Sequence, residues 1–480
     1  MKSGFIESKP AHLLLLPLYF VTHKFLVLCR PFDPGKVTSI TSWLGNFLVS
    51  LLFSVIPGFI LFIVLTQIIK IPKIKAAVST TLIVVFFFLE SELEFFSRFN
   101  SPLLRKRYIL LFGIILIIIL IVKALKSEKL AVHVNTYLNL LWTGLILYNV
   151  AILITLFPQV KPSSYIPKDS TFHVSCSKCP DIYYIILDAY TSNESLKKYW
   201  GYDNSSFTDS LKNMGFFIAE SRTKFVQTYY SMTSAFNMSN DSSDINKLHR
   251  YEAMQLVKNN IVTQKMNEAG YEVINLSFFE IANNSAYYDF SNAGEGGEKS
   301  LFNRFLNNTF LKSITNLFSE LDTYEQHIKT LHRLVEVSET KIDRPRFVYT
   351  HLLAPHQPYV IDSLSGKIPF YKLSKSNSKT GYLNQLKGVN KLVLNTVEEI
   401  LSHYNPNNPL VIIIQGDHGF RYLPDNPEEG TTILNAYYLP KGVHNLYPGI
   451  SPYNTFRVVF NTYFNSNLEL LEETASENEH

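Results

Sequence analysis

Three separated stretches of this chain hold residue types suited to hydrolytic or group-transfer chemistry. Asp188 closes the apolar run Ile182 to Leu187. Asp417 and His418 stand just past a second apolar run, Leu410 to Ile414, and Thr228 opens a segment expected to be helical, Thr228 to Met238. Both apolar runs read as buried strands. In a parallel α/β sheet, residues just past the carboxyl ends of strands collect in one crevice, where such sheets bind ligands. Two carboxylates and one imidazole meeting there form a site for a divalent cation. A hydroxyl attacks poorly at its ordinary pKa and improves when its oxygen is bound to a metal. A helix start adds free N–H groups and partial positive charge, which suit a phosphate or sulfate. Thr228 would combine both. Its bland alternative is a plain helix-capping threonine.

The elements that must carry these residues alternate along the second two thirds of the chain. Strands are expected at Ile182–Leu187, Phe216–Ala219, Glu272–Leu276, Arg346–Leu353 and Leu410–Ile414. Helices are expected at Asn193–Trp200, Ser206–Met214, Thr228–Met238, Ala253–Ala269, Thr323–Val337 and Gln385–Tyr404. A late strand is expected at Asn435–Pro440 and a helix start at Ser451–Arg457. This alternation predicts a mostly parallel sheet between helices. Phe279–Ser300, rich in Asn, Ser and Gly, reads as a surface insertion, and the acidic tail 472–480 as disordered.

Residues 1 to about 160 are of another kind. Apolar stretches at Ala11–Cys29, Thr38–Ile69, Ala76–Leu89, Tyr108–Val122 and Val134–Val160 predict about five membrane-spanning helices, the first interrupted by His23 and Lys24. Basic residues favour an inner N-terminus only slightly. The expected division is a transmembrane region over 1–160, a linker with three prolines over 161–180, a catalytic domain over 181–471 and the tail. A net charge of +4 on 480 residues gives no sign of nucleic acid. Cys176 and Cys179 lack companions for a metal site and read as a local disulfide, with a redox role a distant alternative.

The order acidic residue after a first strand, hydroxyl at a helix start, then Asp417-His418-Gly419 after a late strand resembles the alkaline phosphatase/sulfatase superfamily. Within it, the chain resembles the membrane-bound branch of lipoteichoic acid synthases and phosphoethanolamine transferases. Thr228-Tyr-Tyr-Ser231 is similar to the Thr-x-x-Ser that carries the nucleophile in those transferases. The resemblance implies Thr228 as nucleophile, with Asp188, Thr228, Asp417 and His418 around one divalent ion, zinc or manganese. In Thr350-His351-Leu-Leu-Ala-Pro355-His356-Gln-Pro358-Tyr359, His356 resembles the histidine that contacts the transferred phosphate. It is the candidate for phosphate binding or for protonating a leaving oxygen, since a histidine titrates near pH ~6.5. His351 is the alternative, and Arg421 is a candidate anion clamp.

The resemblance further implies an extracytoplasmic catalytic domain on the plasma (inner) membrane, a membrane lipid as donor and a surface polysaccharide or lipid as acceptor. Two departures bear on it. Asp188 stands where the transferases often have Glu. The Cys/Ser-x-Pro-x-Arg motif of the formylglycine sulfatases is absent, since Lys178 occupies the proline position after Cys176. A phosphate- or sulfate-ester hydrolase on the same scaffold, and an inactive membrane scaffold, are the alternative functions.

Overall fold

The structure, a computed structural model, describes residues 11–29, 128–156, 171–248, 250–288, 312–340, 343–369, 379–404, 408–423, 426–439 and 445–473, with isolated positions between 48 and 63. The chain divides into two compact units, Met1–Lys161 with Phe290–Asn316, and Pro162–Asp289 with Leu317–His480.

In the first unit, helices α1 (His12–Cys29) and α2 (Glu128–Leu156) stand where the first and last membrane spans were expected. Among the described residues, no helix is long and apolar enough to cross a membrane. Polar groups recur in both helices and meet between them. The His12 backbone N–H donates to Asn139 Oδ1 at 2.6 Å, and Asn149 Nδ2 donates to Thr22 Oγ1 at 3.2 Å. The three other expected spans, 38–69, 76–89 and 108–122, lie outside the described residues apart from isolated positions.

The second unit is built on six strands: β1 (Asp181–Leu187), β2 (Phe217–Arg222), β3 (Glu272–Leu276), β4 (Arg346–Leu352), β5 (Leu410–Gly416) and β6 (Thr432–Tyr438). Their order across the sheet is β2-β6-β5-β1-β4-β3. β1 runs parallel to β4 and β5, and β3 parallel to β4. Only β6 is reversed, pairing antiparallel with β5 and β2. The sheet is therefore mixed, and its central strands are parallel. Both β4 and β5 are buried along their whole length, as expected of strands covered on both faces.

Helices around the sheet are α3 (Asn193–Trp200), α4 (Ser205–Asn213), α5 (Thr228–Phe236), α6 (Ser242–Ile245), α7 (Arg250–Lys258), α8 (Ile261–Glu268), α9 (Lys312–Glu339), α10 (Lys379–Ser402) and α11 (Pro452–Tyr463). One face of β1 sends Tyr183, Ile185 and Leu187 into the main apolar core, with Leu386, Val393 and Val397 of α10. The other face meets aromatic rings. Tyr184 packs edge-on against Phe236 of α5 (5.6 Å) and Phe456 of α11 (4.9 Å), and Phe236 against Tyr349 of β4 (4.9 Å). Such pairs add about 0.5–1.5 kcal/mol each beyond their buried area. They fix α5, and with it the position of Thr228.

Several sequence expectations need correcting. The helix expected over Ala253–Ala269 is two helices, because Asn260 turns out of helical geometry and its side chain caps Thr263 N–H at 2.8 Å. The described part of the expected surface insertion is partly core: Phe279 and Ile281 are buried, and Asn275 Nδ2 holds the Phe279 and Ser285 carbonyls. The remainder, 289–300, lies outside the described residues. The described start of the acidic tail is docked. Glu473 accepts the Ser451 backbone N–H at 3.0 Å and also binds Tyr453 and Asn454. A carboxylate at a helix N-terminus is stabilised by the unpaired N–H groups there. Cys176 and Cys179 form a disulfide, and neighbouring Phe172 packs against Phe460.

Candidate metal centre

Asp188 follows the last residue of β1, and the chain turns sharply behind it. Ala189 has φ +63°, the left-handed region, which costs a non-glycine residue about 1 kcal/mol or more. Two bonds hold it there. The Ala189 N–H donates to Asp417 Oδ1 at 2.9 Å, and the Tyr382 hydroxyl donates to the Ala189 carbonyl at 2.7 Å. The backbone of the Asp188 turn is thus built directly onto the side chain of Asp417.

Asp417 and His418 follow β5 by the same logic. Gly416 and Gly419 bracket them because no side chain fits. A Cβ on Gly416 would lie 2.4 Å from the Tyr190 carbonyl oxygen, and one on Gly419 2.4 Å from that of Thr432. Asp417 Oδ1 also accepts the His418 N–H at 2.8 Å, so Oδ2 faces away from the backbone. His418 Nδ1 lies 2.7 Å from the Gly419 carbonyl and must carry the proton there, leaving the Nε2 lone pair free.

These constraints converge. His418 Nε2 is 3.5 Å from Asp188 Oδ1 and 3.6 Å from Asp417 Oδ2. All three atoms are buried with no hydrogen-bond partner. Buried polar atoms without partners are rare and costly. Two carboxylate oxygens and one imidazole lone pair, each orphaned and within 4.8 Å of one another, fit a divalent cation. Burial alone would raise the Asp188 carboxyl. Protonated imidazoles at His356, His351 and His418 would outweigh that and pull it below the ordinary carboxylate range.

The structure places the other sequence-predicted residues as follows. Thr228 is the first residue of α5, nearly buried, with Gln227 at the cap position. One turn on, Ser231 donates its hydroxyl to the Asp417 carbonyl, which ties the start of α5 to the metal-ligand segment. Of the two hydroxyls in Thr228-x-x-Ser231, the second is committed to the backbone. His351 is fully buried behind Asp188, its Nε2 3.7 Å from Asp188 Oδ2 and its Nδ1 2.8 Å from the Tyr349 hydroxyl. His356 is half-buried on the turn after β4. Its N–H donates to the Asp188 carbonyl at 3.0 Å, and its ring stands edge-on to His418 at 6.4 Å. His356, His418 and Arg421 share a small recess with Tyr359, Tyr382, Phe420 and Tyr422.

A family model described as Sulfatase matches residues 182–453, more than half of the chain. The chain belongs to the sulfatase family. It thereby falls within the alkaline phosphatase/sulfatase superfamily that the strand-end residues resembled. No curated protein matches this member. Among solved structures, it is similar to the integral membrane lipooligosaccharide phosphoethanolamine transferase A from Neisseria meningitidis, at 13% identity over 94% of this chain and 95% of that one, with a TM-score of 0.36. The periplasmic domain of phosphoethanolamine transferase EptC from Campylobacter jejuni gives 12% identity over 64% and 94%, with a TM-score of 0.38. A sulfatase from a glycosaminoglycan-metabolising locus of Bacteroides thetaiotaomicron gives 12% over 59% and 72%, with a TM-score of 0.36.

One residue near the sulfatase-family site escaped the sequence reading. His327 on α9 is buried, its Nε2 has no partner, and it lies within electrostatic reach of Asp188. Burial pushes its imidazole down to about pKa 4, with Asp188 pulling weakly the other way. Only the helical spacing of α9 hinted at it, and a lone histidine on a long helix carries no motif.

Proposed function

We propose that this chain is a metal-dependent, membrane-anchored phosphotransferase. It would move a phospholipid headgroup, phosphoethanolamine or phosphoglycerol, to a cell-surface glycan or lipid through a phospho-threonine intermediate. The observation that carries this reading is the pairing of two features. Three orphaned ligand atoms converge at the strand ends, and α5, tied to Asp417 through Ser231, starts with the hydroxyl of Thr228. The residues Asp188, Asp417 and His418, with the Thr228 oxygen, would hold one divalent cation, zinc or manganese. When bound, that ion supplies positive charge for the nucleophile's oxygen and the phosphoryl oxygens.

In the first half-reaction the Thr228 Oγ1–P bond forms and the bond from phosphorus to the diacylglycerol oxygen breaks. The proton lost by Thr228 passes through His356 to the departing oxygen. In the second half, an acceptor hydroxyl attacks phosphorus and gives its proton to His356. The P–Oγ1 bond breaks, and that proton returns to the Thr228 oxygen. The free N–H groups at the start of α5 face the anion throughout.

The absence of the formylglycine motif leaves an unmodified hydroxyl as the nucleophile and favours phosphorus over sulfate chemistry. An extracytoplasmic domain is supported by the Cys176–Cys179 disulfide, since such bonds persist in oxidising compartments. The proposed division is a membrane region over 1–160, a linker over 161–180 and a catalytic domain over 181–471.

The test is mass spectrometry across the Thr228 peptide, on full-length protein purified with its metal and incubated with phosphatidylethanolamine or phosphatidylglycerol vesicles. The expected result is an added phosphoethanolamine or phosphoglycerol on Thr228. Release of free phosphoethanolamine or phosphoglycerol, with Thr228 unmodified, would identify a hydrolase instead. Neither adduct nor turnover in metal-loaded protein would leave an inactive scaffold.

A further inference from the structure

Arg421, the candidate anion clamp, already directs two of its five N–H donors to the protein. Nη1 donates to the Val226 carbonyl at 3.0 Å, two residues ahead of Thr228. Nη2 lies 3.2 Å from His356 Nε2. A guanidinium can only donate, so Nε2 must accept and carries no proton. The other ring nitrogen, Nδ1, lies 2.7 Å from the Gln357 carbonyl, where only a protonated nitrogen fits. The two contacts together fix the orientation of the His356 ring.

The mounting on each side is rigid. The Gly419 N–H donates to the Gly430 carbonyl at 2.7 Å. Gly430 lets the segments close up: a Cβ there would come within 2.9 Å of Val226 Cγ1 and 3.4 Å of Arg421 Cβ. On the histidine side, the His356 N–H is held by the Asp188 carbonyl, and its own carbonyl accepts from buried Gln385 Nε2 at 2.6 Å. One side chain therefore joins the turn after β5, the turn after β4 and the backbone entering α5.

We propose that Arg421 is a positioning residue that fixes the orientation of the His356 ring and ties it to the backbone leading into Thr228. The inference rests on the phosphotransferase reading only in giving His356 a part in the reaction.

Two measurements on the full-length, metal-loaded protein test it. The first is a double-mutant cycle of Arg421→Gln and His356→Asn, read by cleavage of bis(p-nitrophenyl) phosphate. Arg421→Gln should lower kcat about 10²-fold with KM little changed, the size of a lost proton-transfer partner. The double variant should be no slower than His356→Asn alone, because residues acting through one another are non-additive. Effects that multiply, or a raised KM with kcat intact, would overturn the inference and make Arg421 a direct anion binder. The second is amide hydrogen exchange. Arg421→Gln should speed exchange in peptides covering both 225–232 and 355–360. Unchanged exchange in both would overturn the clamp. If the wild type fails to cleave the probe, the phosphotransferase reading suffers, and the exchange result still decides the clamp.

Discussion

The body of the sheet and its carboxyl-end crest obey opposite rules. In the body, Ile412, Ile413 and Ile414 are fully buried, and Tyr184, Tyr349, Phe236 and Phe456 interlock. A few residues further along the same strands, Asp188 Oδ1, Asp417 Oδ2 and His418 Nε2 are equally buried and have no partner. The body gains stability from burial and packing, while the crest holds polar groups in an arrangement that is unfavourable until something binds. Stability and chemistry are therefore separated along each strand, and substitutions should fall into two groups accordingly.

The largest effect should come from the crest. Thr228→Ala should lower turnover by about 10⁶-fold, the scale of losing a covalent nucleophile. Its thermal unfolding midpoint should stay close to that of the wild type; a variant that kept full turnover would remove the mechanism. In the body, Phe236→Ala should cost about 3–5 kcal/mol by opening a cavity between α5 and the sheet. Denaturant unfolding measures this, and a loss below 1 kcal/mol would mean that the aromatic cluster does not anchor α5.

Gly419→Ala lies where the two regions meet. The new Cβ would collide with the Thr432 and Glu429 carbonyls, which as backbone cannot swing aside. A stability loss of about 1–3 kcal/mol is expected, together with weakened metal retention measured by dialysis and elemental analysis.

The smallest effect is a pH slope from His327. Its folded pKa of about 4 lies below the ordinary 6.5, so between these values the unfolded chain binds the extra proton. Stability from this group is present above about pH 6.5 and is lost as the pH falls towards 4, at up to about 1.4 kcal/mol per unit. His327→Met should flatten the slope of unfolding free energy over that window. An unaltered slope would show that His327 charges freely in the folded protein.

The same division explains what the sequence made legible. The strand bodies announced themselves as apolar runs, and Asp188, Asp417 and His418 could be placed by their position after Leu187 and Ile414. Helix Asn193–Trp200 matches because Ser192 caps it and Gly201 stops it in the left-handed conformation. Contacts between distant segments left no local trace. Nothing near Ala189 signals a positive φ, since it is Asp417, 228 residues away, that stabilises the turn. Glu473 reads as tail until Ser451 and Tyr453 are beside it in space. The break at Asn260 was missed because apolar periodicity continues across it, and the cap residue decides the geometry.

The committed hydroxyl of Ser231 has a practical corollary. A serine three residues after the candidate nucleophile would ordinarily confuse any labelling study, since both side chains are small alcohols on one helix. Here Ser231 is 1% exposed, hydrogen-bonded to the Asp417 carbonyl and close to Thr223. An electrophilic phosphonate reagent that enters this cleft is therefore expected to label Thr228 rather than Ser231, and a single labelled position would report occupancy of the site without mutating any residue.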